Sequence, residues 1–158
     1  MTRALQPALE PYGIDENRLA AIVDGIGGLN LDQQRYADFS SLQDFCRSTG
    51  GVQSLLAARI LGYQDSRTLE YAAKLGLALR LAKILCDVGD DARRNRIYLP
   101  MDELKRFDVP AADILNGRHS DRFLNLMAFQ AERAERIFVE ALALLPGQDR
   151  RAQLAGLI

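Results

Sequence analysis

Apolar residues recur along this chain at intervals of three and four, the period of an amphipathic helix. Residues 14–26, IDENRLAAIVDGI, place apolar side chains at 19, 22, 23 and 26, with Asp15 as the N-cap. Gly25, Gly27 and Gly28 then loosen that helix. Residues 40–62 repeat the pattern at 42, 45, 46, 52, 55, 56 and 60, with a capping box predicted from Ser40 and Gln43 and a stop at Gly62. The longest predicted helix runs from about Ser66 to Asp91. Pro100 and Pro110 suit the first positions of two short helices. A final long helix is capped by Ser120 and stopped by Pro146. No segment alternates as a strand would, so the predicted class is all-α.

The predicted helix over 66–91 carries the chemistry. From Leu69 to Val88 it is apolar nearly all round, the pattern of a buried helix. Its polar interruptions are Arg80, Lys83, Asp87 and the pair Asp90 and Asp91, spaced so that they share one face. Charges on a buried helix must pair or line a wet cavity, because an unpaired buried charge is costly. Asp87 and Asp91, four residues apart, can both reach one cation, and carboxylates with phosphate oxygens are the usual ligands of Mg²⁺. Arg93, Arg94 and Arg96 follow at once and suit bidentate contacts to phosphate. Spacing alone equally allows a solvated helix end in which aspartates and arginines offset one another.

Twenty basic and 21 acidic residues nearly cancel, so no global field points to nucleic acid. The 158 residues fit one domain. Cys46 and Cys86 lie in apolar helical patterns and read as reduced, structural thiols of a cytoplasmic protein. His119 is the only histidine and reads as a surface residue. Phe45, Tyr63, Tyr71 and Tyr98 read as core, and Glu132, Arg133, Glu135 and Arg136 as a solvated face. The chain opens in helical sequence and stops within the apolar LAGLI, which suggests helices missing at both ends.

The stretch DVGDDARRNRIYLP, residues 87–100, resembles the second aspartate-rich motif of the squalene/phytoene synthase family. The segments ALQPALEPYGI, LDQQRYADFSSLQDFC and LGLALRLAKIL match in order and spacing the bacterial branch that makes presqualene diphosphate and squalene. The resemblance implies the C-terminal portion of an isoprenoid-synthase-type helical bundle, one partial domain over residues 1–158. It implies head-to-head coupling of farnesyl or geranylgeranyl diphosphate with Mg²⁺ as cofactor. Asp87 and Asp91 match the metal-associated aspartates; Arg93, Arg94, Arg96 and Tyr98 match the motif's tail. Arg80 and Lys83 stand where the family usually has Gln and Asn, Cys86 where it has Arg, and Phe45 where it has Tyr. Ser54 replaces an expected glycine, and DGIGGLNLD departs from the family segment. Asp87–Asp91 is the one DxxxD in the sequence, and the family's other such motif would lie before Met1. Arg80, Lys83 and the three arginines are expected to hold diphosphate, with Phe45 and Tyr98 lining the cavity. Lys83, one turn before Asp87, is expected to compete with metal for it. The expected protein is a truncated form inactive alone, in the cytoplasm or at the membrane surface, with a protein partner covering its open face. A non-catalytic assembly module of the same fold and one half of a split enzyme are the alternatives. Donor length, product and oligomeric state are not legible.

Overall fold

The computed structural model describes residues 10–12 and 35–154. The helix expected over 14–26, with its Asp15 cap and its glycines, lies outside the described residues, as do the two chain ends.

Helix α1 spans Phe39–Cys46, a π-helical segment follows over Arg47–Gly51, and α2 continues over Val52–Leu61. The predicted cap of α1 is corrected. Asp38, not Ser40, is the N-cap: its carboxylate accepts from the Ser41 N–H at 2.8 Å, and the Ser41 hydroxyl accepts from the Asp38 N–H at 3.3 Å. Both residues suit an N-cap locally. The choice falls to Asp38 because the chain just before it is fixed from elsewhere. Met101 and Asp102 donate their N–H groups to the carbonyls of Tyr36 and Ala37 at 2.9 and 3.1 Å. Gly62 ends α2 with φ +80°, as its position predicted.

Helix α3 covers Arg67–Arg93 and runs about 40 Å at 1.5 Å per residue. It is the spine of the molecule. Helix α6, Asp121–Leu144, lies antiparallel against it. The pairing reads from three clusters strung along the two helices. Tyr71 and Leu75 meet Ala141 and Leu145; Leu77, Leu81 and Ile84 meet Ala134 and Ile137; Leu85 and Val88 meet Phe123 and Leu126. Ser120 caps α6 by accepting from the Phe123 N–H, and the helix stops before Pro146 as predicted.

Between the two, the chain turns at Asn95, whose φ of +59° is a left-handed value that asparagine tolerates. Ile97 then pairs with Arg35 in an isolated parallel bridge. The short helices α4, Met101–Arg106, and α5, Ala111–Leu115, start one residue after Pro100 and Pro110, which are their caps rather than their first residues. A 3-10 turn at Gly147–Asp149 leads into α7, Arg150–Leu154. Neither was legible in the pattern. Apart from the single bridge, the described residues are helix and turn. No helix among them is long and apolar enough to cross a membrane.

Candidate functional site

The polar stripe of α3 exists, but the helix carrying it is not buried all round. Leu79 is 46% exposed, and Ala82, Lys83, Cys86 and Asp90 also face out. One side of α3 is therefore an open surface. Cys86 sits on it, which corrects its reading as a structural thiol; Cys46 is the buried one.

On that surface Lys83 holds Asp87 with both carboxylate oxygens, at 2.7 Å to Oδ1 and 2.6 Å to Oδ2. The contact follows from the spacing of four residues. Asp91 lies one turn further on. Burial first, then the Asp87 charge, raises its carboxyl above the usual range, while Arg94, Arg80 and Arg96 act the other way. Asp91, Arg96 and Tyr98 share a very small recess with Ile84 and Ile97.

Arg80 starts one turn before Lys83 and leans inward. Its guanidinium sits 5.1 Å from the centre of the Phe45 ring, within cation–π range. Its Nε is buried and has no hydrogen-bond partner among the described residues. Phe45 belongs to an aromatic triad with Tyr36 and Tyr98, at centroid distances of 5.3, 5.3 and 5.6 Å. Burial and the neighbouring Tyr98 and Cys46 push the Tyr36 hydroxyl well above its ordinary value, with Arg80 and Arg96 opposing.

The structure thus brings Arg80, Lys83, Asp87, Asp91, Arg96, Phe45 and Tyr98 together along the C-terminal half of α3. Arg94 is exposed beside them. Arg93 is not part of this group. It lies two residues from Asp91, hence on the other side of the helix, pairs with Asp90, and lines a separate cleft of about 520 Å³ with Arg118 and His119. Two further readings are corrected. Tyr63 is 37% exposed rather than core, and Arg133, 8% exposed, is not on a solvated face. Arg133 pairs with Glu103 and stacks on Phe39 and Phe129 at 3.9 and 4.7 Å. Tyr36 was missed because its place is fixed by the bridge of Arg35 to Ile97, far away in sequence.

The charged end continues into an apolar stripe. Leu79, Lys83 and Asp87 recur every four residues on the open side, and Leu75, one turn before them, turns into the core. Leu75 and Leu79 border a recess of about 60 Å³ with Ser54, Ala57, Leu61 and Ala72. One helix face therefore offers cations at one end and hydrocarbon at the other.

Mg²⁺ demands nearly octahedral oxygen ligands and gives up its waters reluctantly. Here both oxygens of Asp87 are engaged by the Lys83 ammonium. Among the described residues, no three His, Cys, Asp or Glu side chains gather as a metal-binding group. As the side chains stand, the pair does not fit Mg²⁺.

A family model described as squalene/phytoene synthase matches residues 1–158. The chain belongs to the squalene/phytoene synthase family. It is 34% identical over 152 residues to the 15-cis-phytoene synthase of Synechocystis sp., covering 87% of this chain and 44% of that protein. It is 37% identical to the chloroplastic phytoene synthase of an Oncidium hybrid cultivar, covering 98% of this chain and 40% of that protein. The chain thus spans less than half the length of these relatives. Among solved structures, squalene synthase HpnC from Alicyclobacillus acidocaldarius superposes with a TM-score of 0.84 at 23% identity, over 97% of this chain and 59% of that one. YisP from Bacillus subtilis gives a TM-score of 0.77 at 25% identity, over 98% and 62%. The fold is accordingly the all-α isoprenoid-synthase fold. The family is one of prenyl transferases of isoprenoid biosynthesis acting on prenyl diphosphates.

Proposed function

We propose that this chain binds one prenyl diphosphate on the open face of α3 and does not couple two donors by itself. The observation that carries this reading is the stripe on α3. Arg80, Lys83 and the arginines around Asp91 would hold the diphosphate, and the exposed Leu79 would lead its hydrocarbon toward the recess beyond. Guanidinium and ammonium groups donate well to phosphate oxygens. Phe45 and Tyr98, packed against each other, would wall the charged end and shield it from water. Coupling joins two donors and needs two diphosphates held at once, and the sequence has one DxxxD. Phe45 also lacks the hydroxyl that the family usually places there. The likeness to squalene synthases in structure and to phytoene synthases in sequence leaves two candidate donors, farnesyl (C15) and geranylgeranyl (C20) diphosphate.

Equilibrium binding of farnesyl diphosphate, geranylgeranyl diphosphate, inorganic diphosphate and farnesol to the pure chain tests the reading. The intact prenyl diphosphates should bind more tightly than either the head or the tail alone. Extraction after incubation with Mg²⁺ and NADPH should yield no coupled product. Equal affinity for farnesol and farnesyl diphosphate would remove the role of the cations. Coupled product above a boiled control would overturn the claim of inactivity.

A further inference from the structure

We infer that this site takes diphosphate without a divalent metal, with Arg80 and Lys83 supplying the positive charge that an ion would bring. The inference rests on the proposed prenyl-diphosphate reading and deepens it. Its first support is geometric. The Lys83 ammonium occupies both oxygens of Asp87, the place a cation would take. Its second support is charge. Once Arg93 and Asp90 are set aside as a pair of their own, four cations remain among the described residues around the C-terminal half of α3: Arg80, Lys83, Arg94 and Arg96. They face two carboxylates, Asp87 and Asp91. The surplus of two positive charges equals that of one Mg²⁺.

The third support is an unmet donor. The Arg80 Nε is buried without a partner among the described residues, while its guanidinium is steadied by the Phe45 face. A buried donor left unpaired is unfavourable, and turning the Arg80 side chain outward to a phosphate oxygen would relieve it. Lys83 is not locked in place: its side chain is 62% exposed. Exposed ion pairs one helical turn apart contribute little. The ammonium can therefore turn from Asp87 to an arriving phosphate oxygen. A divalent ion would instead have to displace it beside the arginines whose charges already act on Asp91.

The test is calorimetric titration of the full chain with inorganic diphosphate, once in EDTA and once in excess Mg²⁺, with thermal melting in Mg²⁺ alone beside it. The expected result is binding in EDTA at least as tight as in Mg²⁺, which itself sequesters diphosphate, and no melting shift from Mg²⁺ alone. Lys83→Asn, shown folded by its circular dichroism, should weaken binding in EDTA by about tenfold to a hundredfold, the loss of one charge-assisted hydrogen bond. Lys83→Arg should retain binding in EDTA, and Arg80→Gln should weaken it as Lys83→Asn does. Binding by the parent chain that appears only with Mg²⁺ would overturn this inference and leave the prenyl-diphosphate reading standing. No binding of diphosphate in either buffer would overturn both.

Discussion

Gly50 and Gly76 meet backbone to backbone where the π-helical segment crosses α3. A Cβ on Gly76 would press into the Gly50 carbonyl and stand 2.6 Å from the Ser54 hydroxyl. A Cβ on Gly50 would press into the Gly76 carbonyl and stand 2.8 Å from the Arg80 Cβ. The obstacle in each direction is main chain, which cannot rotate aside. The same approach sets where the Arg80 side chain leaves α3, and so lets its guanidinium reach the Phe45 ring.

Gly76→Ala should therefore lower stability by about 1–3 kcal/mol, the usual penalty of overpacking. That loss comes despite a helix-propensity gain of about 1 kcal/mol. Gly89→Ala, on the same helix, meets only the Arg93 Nη1 at 3.8 Å and should be neutral or stabilising. Urea unfolding of the two variants separates the cases. Equal midpoints would mean that the crossing at Gly76 is looser than described.

Asp149 ties the end of the described chain to the start of α3. Its carboxylate accepts from the Thr68 hydroxyl at 2.6 Å and from the N–H groups of Gln64 and Asp65 at 2.9 and 3.1 Å. The Thr68 hydrogen bond, foremost, holds its carboxyl below the ordinary value, and the two backbone donors add to this against burial and the Asp65 charge. A lowered folded value means stability that is intact above the unfolded carboxyl pKa of about 3.9 and lost as pH falls through the folded value. Melting temperature against pH should fall less steeply below about pH 4 in Asp149→Asn than in the parent, because this one contribution is gone. At neutral pH the variant should melt several degrees lower. Parallel pH profiles would show that the carboxylate is not linked to folding.

The long helices were legible because their periodicity is local and their punctuation unambiguous: Ser120 and Pro146 bound α6, and Gly62 ends α2 where expected. The Lys83–Asp87 contact was legible for the same reason, since a spacing of four on a helix fixes proximity. What failed was set by partners distant in sequence. Arg133 sits in AERAER, which reads as a solvated face. Its burial depends on Glu103, 30 residues away, and on Phe39 from the other end of the chain. Ser40 and Asp38 are equally good caps by type, and hydrogen bonds from Met101 and Asp102 decide between them. The open side of α3 could not be read either. A helix apolar all round implies neighbours all round, and a pattern cannot say which of them the chain supplies.

The two cysteines should differ sharply in reactivity. Cys46 has no exposed surface, and burial pushes its thiol up to about 12, against the opposing pull of Arg80. Cys86 is exposed on the open side of α3. The thiolate is the reactive form, so access and ionisation act together. Ellman's reagent at neutral pH should label one thiol in the native chain and both in denaturant, and Cys86→Ser should abolish the native signal. Rapid labelling of both native thiols would contradict the burial of Cys46.

Arg133 and Glu103 are the most deeply placed ion pair among the described residues, with side chains 10% and 9% exposed. Gln130 donates its amide to the same carboxylate, and the guanidinium lies over Phe39 and Phe129. The group thus joins α1, α4 and α6 at one point. A buried pair is weak evidence of net stabilisation, because desolvation opposes the attraction, but removing one partner strands the other. Arg133→Met should cost about 3–5 kcal/mol on that account. Replacing both, as Arg133→Met with Glu103→Leu, removes the stranded charge and should recover a large part of the loss. The loosened α4 has a second consequence. Met101 and Asp102 hold Tyr36 and Ala37 through their N–H groups, so the single variant should also disturb the Tyr36, Phe45 and Tyr98 cluster. Near-ultraviolet circular dichroism of the tyrosines reads that cluster directly. A double-mutant cycle by urea unfolding, in which the double variant is as unstable as the sum of the two single ones, would show that the pair acts as two independent residues rather than one unit.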